Sequence, residues 1–360
     1  MKNNYNRMAI LQPLVPHYRT DFFKKLKDYV SVLDIHTYDS PTRAKLEGFN
    51  IEDFKVHTIA NIQYRGFLWY NPLTLLQKKY DTLVLMWHFA HITTWLLLMT
   101  RFMHRKKIIL WGQGISVKRY LKEEIKPNIL LKWMLAMADG AWIYMEKEAK
   151  KWQSYFPNKK IVALNNTLCI TNEFIDEKQS HKEELKKKYN IKEKRIFIFC
   201  ARFTNPHRRT DLLIKAIEKL NKKDFGFIII GDGNYKPQFT NYNNVYDFGT
   251  LYDIKIKQEL FTIADMYFQP GWVGLSIVEA MAYGKPICTF VRSKETLQCV
   301  EYSYIINEEN GLIFNDINDF IKKIETISYD DIKSMGHNAK LLVKEKLTIE
   351  KMVKNAISIL

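Results

Sequence analysis

Residues 269–287 read QPGWVGLSIVEAMAYGKPI. A strand ends at Pro270, and a loop with Gly271 and Gly274 follows. A helix starts near Leu275–Ser276 and is closed by Gly284, and a new strand, PICTF, opens at Pro286. The first N–H groups of a helix are unpaired and carry the positive end of its dipole, so a glycine-opened turn of this kind suits a phosphate. Glu279, in the first turns, is placed to accept hydrogen bonds from ribose hydroxyls. The same residues also read as a plain strand–turn–helix with a solvated glutamate.

Strand and helix signals alternate on both sides of this stretch. Upstream lie the strands KRIFIFCARF (194–203), FGFIIIGDG (225–233), NVYDFG (244–249) and DMYFQPG (265–271). The helices TDLLIKAIEKL (210–220) and YDIKIKQELFTIA (252–264) separate them, and lysine-spaced helices run from about 316 to 360. The first half repeats the pattern, with strands at 8–13, 32–38, 81–87, 107–112, 140–145 and 160–166 and helices at 20–30 and 126–138. Pro127 suits the first turn of the latter helix. Between the halves, 171–193 is polar and reads as an interdomain connection with a short helix at 181–189. Two such runs predict an α/β protein of two doubly wound, Rossmann-like domains with ligand in the cleft between their strand ends.

Composition bounds the function. The chain has 360 residues, 47% apolar and 26% charged, which excludes a disordered or collagenous chain. Cys169, Cys200, Cys288 and Cys299 form no CxxC pair, which argues against a disulfide framework or zinc site and for a reducing compartment. The formal charge is +16, of which +12 falls on residues 1–175 and +4 on 176–360. Such an excess points to a polyanionic partner: nucleic acid, an anionic membrane or a phosphorylated substrate. No RNA- or DNA-binding motif is visible. Residues 82–103, TLVLMWHFAHITTWLLLMTRFM, are long enough to span a bilayer but carry His88, His91 and Arg101. They read better as strand, helix, a turn at HRKK (104–107) and a second strand at IILW. No secretory signal is visible.

PGWVGLSIVEAMAYGKPI resembles the donor-site signature of the retaining glycosyltransferases of family four, which have the GT-B fold. Glu279, Gly284, Lys285 and Pro286 match the signature, but Gly271 stands where the family has its first Glu. The resemblance implies that Glu279 meets the nucleotide ribose and that the lost Glu would have met hydroxyls of the donor sugar. The amides of Trp272, Val273 and Gly274 are expected to take over those contacts, with Leu275 and Ser276 completing the donor loop. ARFTNPHRRTDLLIKAI (201–217) resembles the family's diphosphate-binding segment. Arg202 takes the Arg position, and Arg208, counted back from Asp211 with one extra loop residue, takes the Lys position. IIIGDGN (228–234) and DFGTLYD (247–253) resemble two further turns, the second bordering the base near Gly249, Leu251 and Tyr252. More weakly, LQPLVPHYRTDFFKKL (11–26) resembles the first strand, loop and helix, with His17 and Arg19 as acceptor or diphosphate contacts. Gln113, in LWGQG, stands nearest to a family histidine that contacts the donor sugar. His88 and His91 are further candidates, and Asn165 and Asn166 in NNTLC suit the hinge.

The domains expected on this basis are an acceptor domain 1–172, a connection 173–193, a nucleotide-sugar domain 194–343 and a C-terminal helix 344–360 returning to the first domain. The implied activity is transfer of a sugar from a nucleoside diphosphate to an acceptor hydroxyl with retained configuration, in cell-surface polysaccharide assembly. Neither a metal nor a cofactor is implied, and no nucleic acid partner is expected. A GT-B nucleotide-sugar epimerase and a non-catalytic nucleotide-sugar-binding subunit are the alternatives. The basic first half is expected to dock on the anionic cytoplasmic membrane face and take a glycan or lipid-linked acceptor, through HRKK, Lys118–Arg119, Tyr120 and the helix around Trp133.

Overall fold

The computed structural model describes residues 6–39, 55–169 and 181–360. The chain divides into two compact units, Met1–Cys169 with Ile349–Leu360, and Ile170–Thr348.

In the first unit the strands are β1 (Arg7–Gln12), β2 (Val32–Thr37), β3 (Val56–Thr58), β4 (Asn61–Tyr64), β5 (Phe67–Tyr70), β6 (Thr82–Met86), β7 (Lys107–Gly112), β8 (Gly140–Ile143) and β9 (Lys160–Ala163). Seven form one sheet in the order β3-β2-β1-β6-β7-β8-β9, parallel throughout. Both faces are covered, so the strands are apolar on both sides. Met8, Ile10, Ile109 and Trp111 point into one core with Phe22, Phe23 and Trp142. Their neighbours Ala9, Leu11, Ile108 and Leu110 point into the other. Helix Ile349–Ile357 supplies Met352, Val353 and Ala356 to the first of these cores. It is tied there by bonds from Trp142 Nε1 to the Ala356 carbonyl, 3.1 Å, and from Lys107 Nζ to that of Ile359, 2.7 Å.

The apolar stretch 82–103 is strand β6 followed by helix Ile92–Met99, and no helix among the described residues is long and apolar enough to cross a membrane. Helix Ile129–Met137 begins later than expected: Asn128 accepts from the Leu130 N–H at 2.9 Å as its cap, so Pro127 precedes the helix. The β4–β5 hairpin turns through Arg65 and Gly66, both at positive φ.

The second unit carries β10 (Arg195–Cys200), β11 (Phe225–Ile230), β12 (Val245–Asp247), β13 (Met266–Phe268), β14 (Ile287–Phe290) and β15 (Gly311–Phe314). They form one sheet in the order β12-β11-β10-β13-β14-β15, parallel throughout. One face is packed by aromatic rings: Phe320 lies 4.7 Å from Phe268 and 5.0 Å from Phe314, between ring centroids. Residues 173–180 of the expected connection lie outside the described residues. Helix Lys182–Lys188 packs within this unit, where Lys182 pairs with Asp265, and Lys188 with Glu259 at 2.5 Å. Helix Tyr329–Lys346 runs beyond 343 and stays with this unit, so the part of the chain end that joins the first unit starts at Ile349 rather than 344.

Two buried histidines make the first unit acid-sensitive. Burial, with the nearby His57 charge, pushes His36 down to about 4. Burial, with His88, pushes His91 down to about 3. The unfolded chain binds these protons near the ordinary histidine value of about 6.5, and the fold refuses them. Stability is therefore full above pH 6.5 and is lost as pH falls from there toward 4. Thermal melts at pH 7.5 and pH 5 should show a Tm lower by several degrees in acid, and His36→Phe should narrow the difference.

Candidate active site

In the second sheet the strand order reverses between β10 and β13. Ligands of open parallel sheets bind outside the carboxyl ends of the strands at this switch point. Two loops leave those ends: 201–209 after β10, and 269–275 after β13. Gly231 and Gly233 set the first loop. A Cβ on Gly231 would collide with the Ala201 carbonyl, and one on Gly233 would lie 2.6 Å from the Phe203 carbonyl oxygen. The Phe203 N–H donates to the Asp232 carbonyl at 2.8 Å. The GDG turn is thus a backbone support for the loop that carries Arg202.

Arg208 ends the short 3-10 turn Pro206–Arg208, capped by Asn205, whose Oδ1 accepts from the His207 N–H at 2.9 Å. Its Nε and Nη1 are shut off from solvent and have no hydrogen-bond partner among the described residues. Burial pushes this guanidinium below its ordinary pKa, and the neighbouring Arg202 adds like-charge repulsion. A buried cation with unfilled donors is expensive unless an anion completes it. The adjacent Arg209 is spent on structure. At φ 55° it forms a two-pronged ion pair with Asp211, 2.8 Å in each prong, and also reaches Thr296. Tyr267, at the base of the site, lies 2.9 Å from the Cys200 carbonyl and 3.1 Å from Ser276 Oγ, and burial pushes its hydroxyl up.

Gly271 touches the Arg208 turn. A Cβ there would lie 2.5 Å from the His207 carbonyl oxygen and 2.8 Å from Arg209 Cγ. The turn 206–209 therefore occupies the space that a side chain at 271 would need. The Trp272 N–H donates to the Leu297 carbonyl, 2.7 Å, and the Val273 N–H to Gln298 Oε1, 2.8 Å. Both amides are committed inside the protein. Of the three amides expected to meet a sugar, only that of Gly274 is open, and among the described residues nothing accepts from Leu275 or Ser276 either.

Glu279 lies within helix Ser276–Ala282 and pairs with Lys257 at 2.7 Å. Lys257 was not legible as a site residue. It stands one turn into helix Ile254–Ile263, whose cap, Asp253, closes the Gly249–Asp253 loop by accepting from the Ile256 N–H at 3.0 Å. Gly249 has φ 58° with open space where a Cβ would be, Leu251 is half-buried and Tyr252 is 77% exposed.

In the first unit the candidates separate. His17 is exposed at the start of helix His17–Leu26, while Arg19 is buried, its guanidinium 4.9 Å from the Trp111 ring and 5.1 Å from that of Tyr144. Half-buried Gln113 follows β7, and the next residue, Gly114, lies so close to Trp152 that a Cβ would sit 2.7 Å from its Nε1. His88 is exposed, with Nδ1 accepting from the Ala90 N–H at 3.2 Å, and His91 is buried. Asn165, at φ 56°, donates to Glu146 at 3.2 Å. The basic cluster proposed for a membrane is partly internal. Lys106 is buried on the Gln77 and Tyr80 carbonyls, Lys107 is held by Ile359, and Tyr120 is buried against Glu148.

Residues 181–342 match the model of the family described as glycosyl transferases group 1. This glycosyl transferases group 1 match covers nearly all of the second unit and contains both loops of the switch point. Solved structures share the fold over the whole chain. HepE from Anabaena, in complex with UDP, is 14% identical over 98% of each chain with a TM-score of 0.66. WaaB, a lipopolysaccharide outer core galactosyltransferase, is 13% identical over 99% of each chain with a TM-score of 0.65. A glycosyltransferase from Rickettsia africae is 18% identical over 99% of this chain and 98% of its own, with a TM-score of 0.63. The two units thus have the GT-B fold, each Rossmann-like. No curated protein matches the chain by sequence.

Proposed function

We propose that this protein is a retaining glycosyltransferase that moves a sugar from a nucleoside diphosphate to an acceptor hydroxyl. The observation that carries the proposal is Arg208, whose Nε and Nη1 are buried at the switch point of a parallel sheet, beside Arg202, with no hydrogen-bond partner among the described residues. A diphosphate supplies the missing charge, and a planar fork suits its oxygens. Glu279, held by Lys257, accepts from the ribose hydroxyls, and the Gly249–Tyr252 loop borders the base. As the bond from the anomeric carbon to the diphosphate oxygen breaks, its electron pair stays on that oxygen. Arg202, Arg208 and the open amides at 274–276 stabilise the charge as it develops. The acceptor oxygen bonds to the anomeric carbon on the same face, and its proton passes to the departing diphosphate. The bound neighbour HepE and the group 1 match support this reading. The test is release of free nucleoside diphosphate from a panel of nucleotide sugars, with and without acceptors. Acceptor-dependent release that is lost in Arg208→Met supports transfer. Epimer formation without acceptor, or binding without turnover, would replace it with the epimerase or the non-catalytic subunit.

The acceptor in this reading is a surface glycan or its lipid-linked precursor, presented at the anionic cytoplasmic face of the membrane; the likeness to WaaB supports it. The docking face is apolar and lies on three neighbouring helices. Leu96 and Met99 lie on Ile92–Met99, Phe102 and Met103 on Arg101–His104, and Ile129 and Trp133 on Ile129–Met137. Phe102 is 77% and Met103 70% exposed. A patch of such residues is rare on a free surface. Arg105 and Lys132 stand in the same segments, and each cation near an anionic surface contributes about 1 kcal/mol. The full chain should float with phosphatidylglycerol liposomes in low salt and be released in high salt. Phe102→Asp with Trp133→Asp should weaken this about tenfold or more, and equal flotation of the double variant would sink the proposal.

A further inference from the structure

Trp272 and His207 form a feature the diphosphate site does not use. Their rings stack, with centroids 5.2 Å apart and planes 23° from parallel, and both are half-exposed. Trp272 has φ 52°, a left-handed conformation that is strained for a bulky residue. Buried groups enforce it from both sides. The Trp272 carbonyl accepts from Gln269 Nε2 at 2.7 Å, and its N–H is held by Leu297. The next amide is held by Gln298, which also donates to the Phe290 carbonyl at 2.9 Å. Gln269 and Gln298 are fully buried. A glycine at 272 would adopt this backbone without strain. The tryptophan thus holds a strained conformation in which its ring meets that of His207.

The position of the pair suggests its use. His207 precedes Arg208, and its carbonyl closes the space above Gly271. Trp272 lies between Gly271 and the open amide of Gly274. The pair thus stands on the two loops of the switch point, His207 after β10 and Trp272 after β13, while Lys257 lies on helix Ile254–Ile263 and its partner Glu279 on helix Ser276–Ala282. In the proposed function Glu279 takes the ribose and Arg208 the diphosphate, which leaves the stacked pair, adjacent to Arg208 in the chain and to the Gly271 contact, for the group attached beyond the diphosphate.

We infer that the stacked His207–Trp272 pair is the platform on which the donor's sugar ring packs, so that these two side chains set sugar choice in place of a carboxylate at 271. This rests on the proposed function and adds to it. One face of a pyranose presents C–H groups, which pack on an aromatic surface, whereas a carboxylate would read hydroxyls. The pair thus favours sugars with an unbroken apolar face.

The test is a comparison of two affinities in one set of proteins. UDP, GDP and ADP, each bare and as its glucose conjugate, are titrated calorimetrically into wild type, Trp272→Gly, Trp272→Phe and His207→Ala. Trp272→Gly keeps the backbone free of strain, so loss of fold does not obscure the result. For the nucleotide that binds, Trp272→Gly and His207→Ala should weaken the glucose conjugate about tenfold while changing the bare nucleotide less than twofold, and Trp272→Phe should recover most of the loss. Equal weakening of bare and sugar-bearing nucleotide would assign the rings to the nucleotide and overturn the inference. Unchanged affinity for both would overturn it too. Failure of every nucleotide to bind wild type would instead defeat the proposed function itself.

Discussion

Arg208→Met should lower sugar transfer by about 10²–10³-fold in kcat while leaving the Tm unchanged or raised. The two halves of this expectation have one cause. The Arg208 Nε and Nη1 are buried without a hydrogen-bond partner among the described residues, and burial and Arg202 both oppose its charge. In the free protein the guanidinium is a cost, and an apolar chain of similar length removes it. In the complex the same group meets the diphosphate and is worth most when the leaving oxygen gains charge. A residue whose removal costs activity and not stability is one held for a ligand. A large fall in Tm would mean that Arg208 is structural, and unchanged kcat would remove it from the site.

The second large effect concerns Gly271. Restoring the glutamate of the resembled signature, Gly271→Glu, should not restore anything. Even Gly271→Ala should cost about 1–3 kcal/mol by overpacking, because its Cβ would press on the His207 carbonyl oxygen and Arg209 Cγ. The displaced turn carries Arg208, so transfer should fall with stability. Denaturant melts and kcat on Gly271→Ala and Gly271→Glu measure both. A stable, faster Gly271→Glu enzyme would contradict the coupling between this glycine and the 201–211 loop. Shortening that loop by one residue in the Glu variant is the informative companion, since it removes the obstacle.

Much of this was legible in the sequence because parallel strands buried on both faces are continuous apolar runs, as at IILW and FIFC, and because glycines end them. The expected strand at 107–112 is β7 to the residue. What escaped had weaker signals. The β4–β5 hairpin turns at Arg65–Gly66, and arginine at a left-handed position hides a turn that asparagine would announce. Strand β15 is only four residues, GLIF, after a polar stretch. In the site, Arg208 could be counted from Asp211. Lys257, Tyr267 and Gln298 could not be found that way, since they matter through contacts far apart in the chain: Lys257 with Glu279, Tyr267 with Cys200, Gln298 with Val273. The basic run HRKK misled because sequence shows charge but not direction. Lys106 turns inward onto main-chain carbonyls, while Phe102 and Met103 beside it stand in solvent.

The central claim is that the switch point of the second unit holds a nucleoside diphosphate sugar through Arg208. Thermal shift of the full chain against a panel of nucleoside diphosphate sugars tests it most directly, with Arg208→Met measured alongside. At least one donor should raise the Tm of wild type by several degrees in a concentration-dependent way and leave that of Arg208→Met unmoved. A panel that shifts neither protein, or shifts both equally, would contradict it.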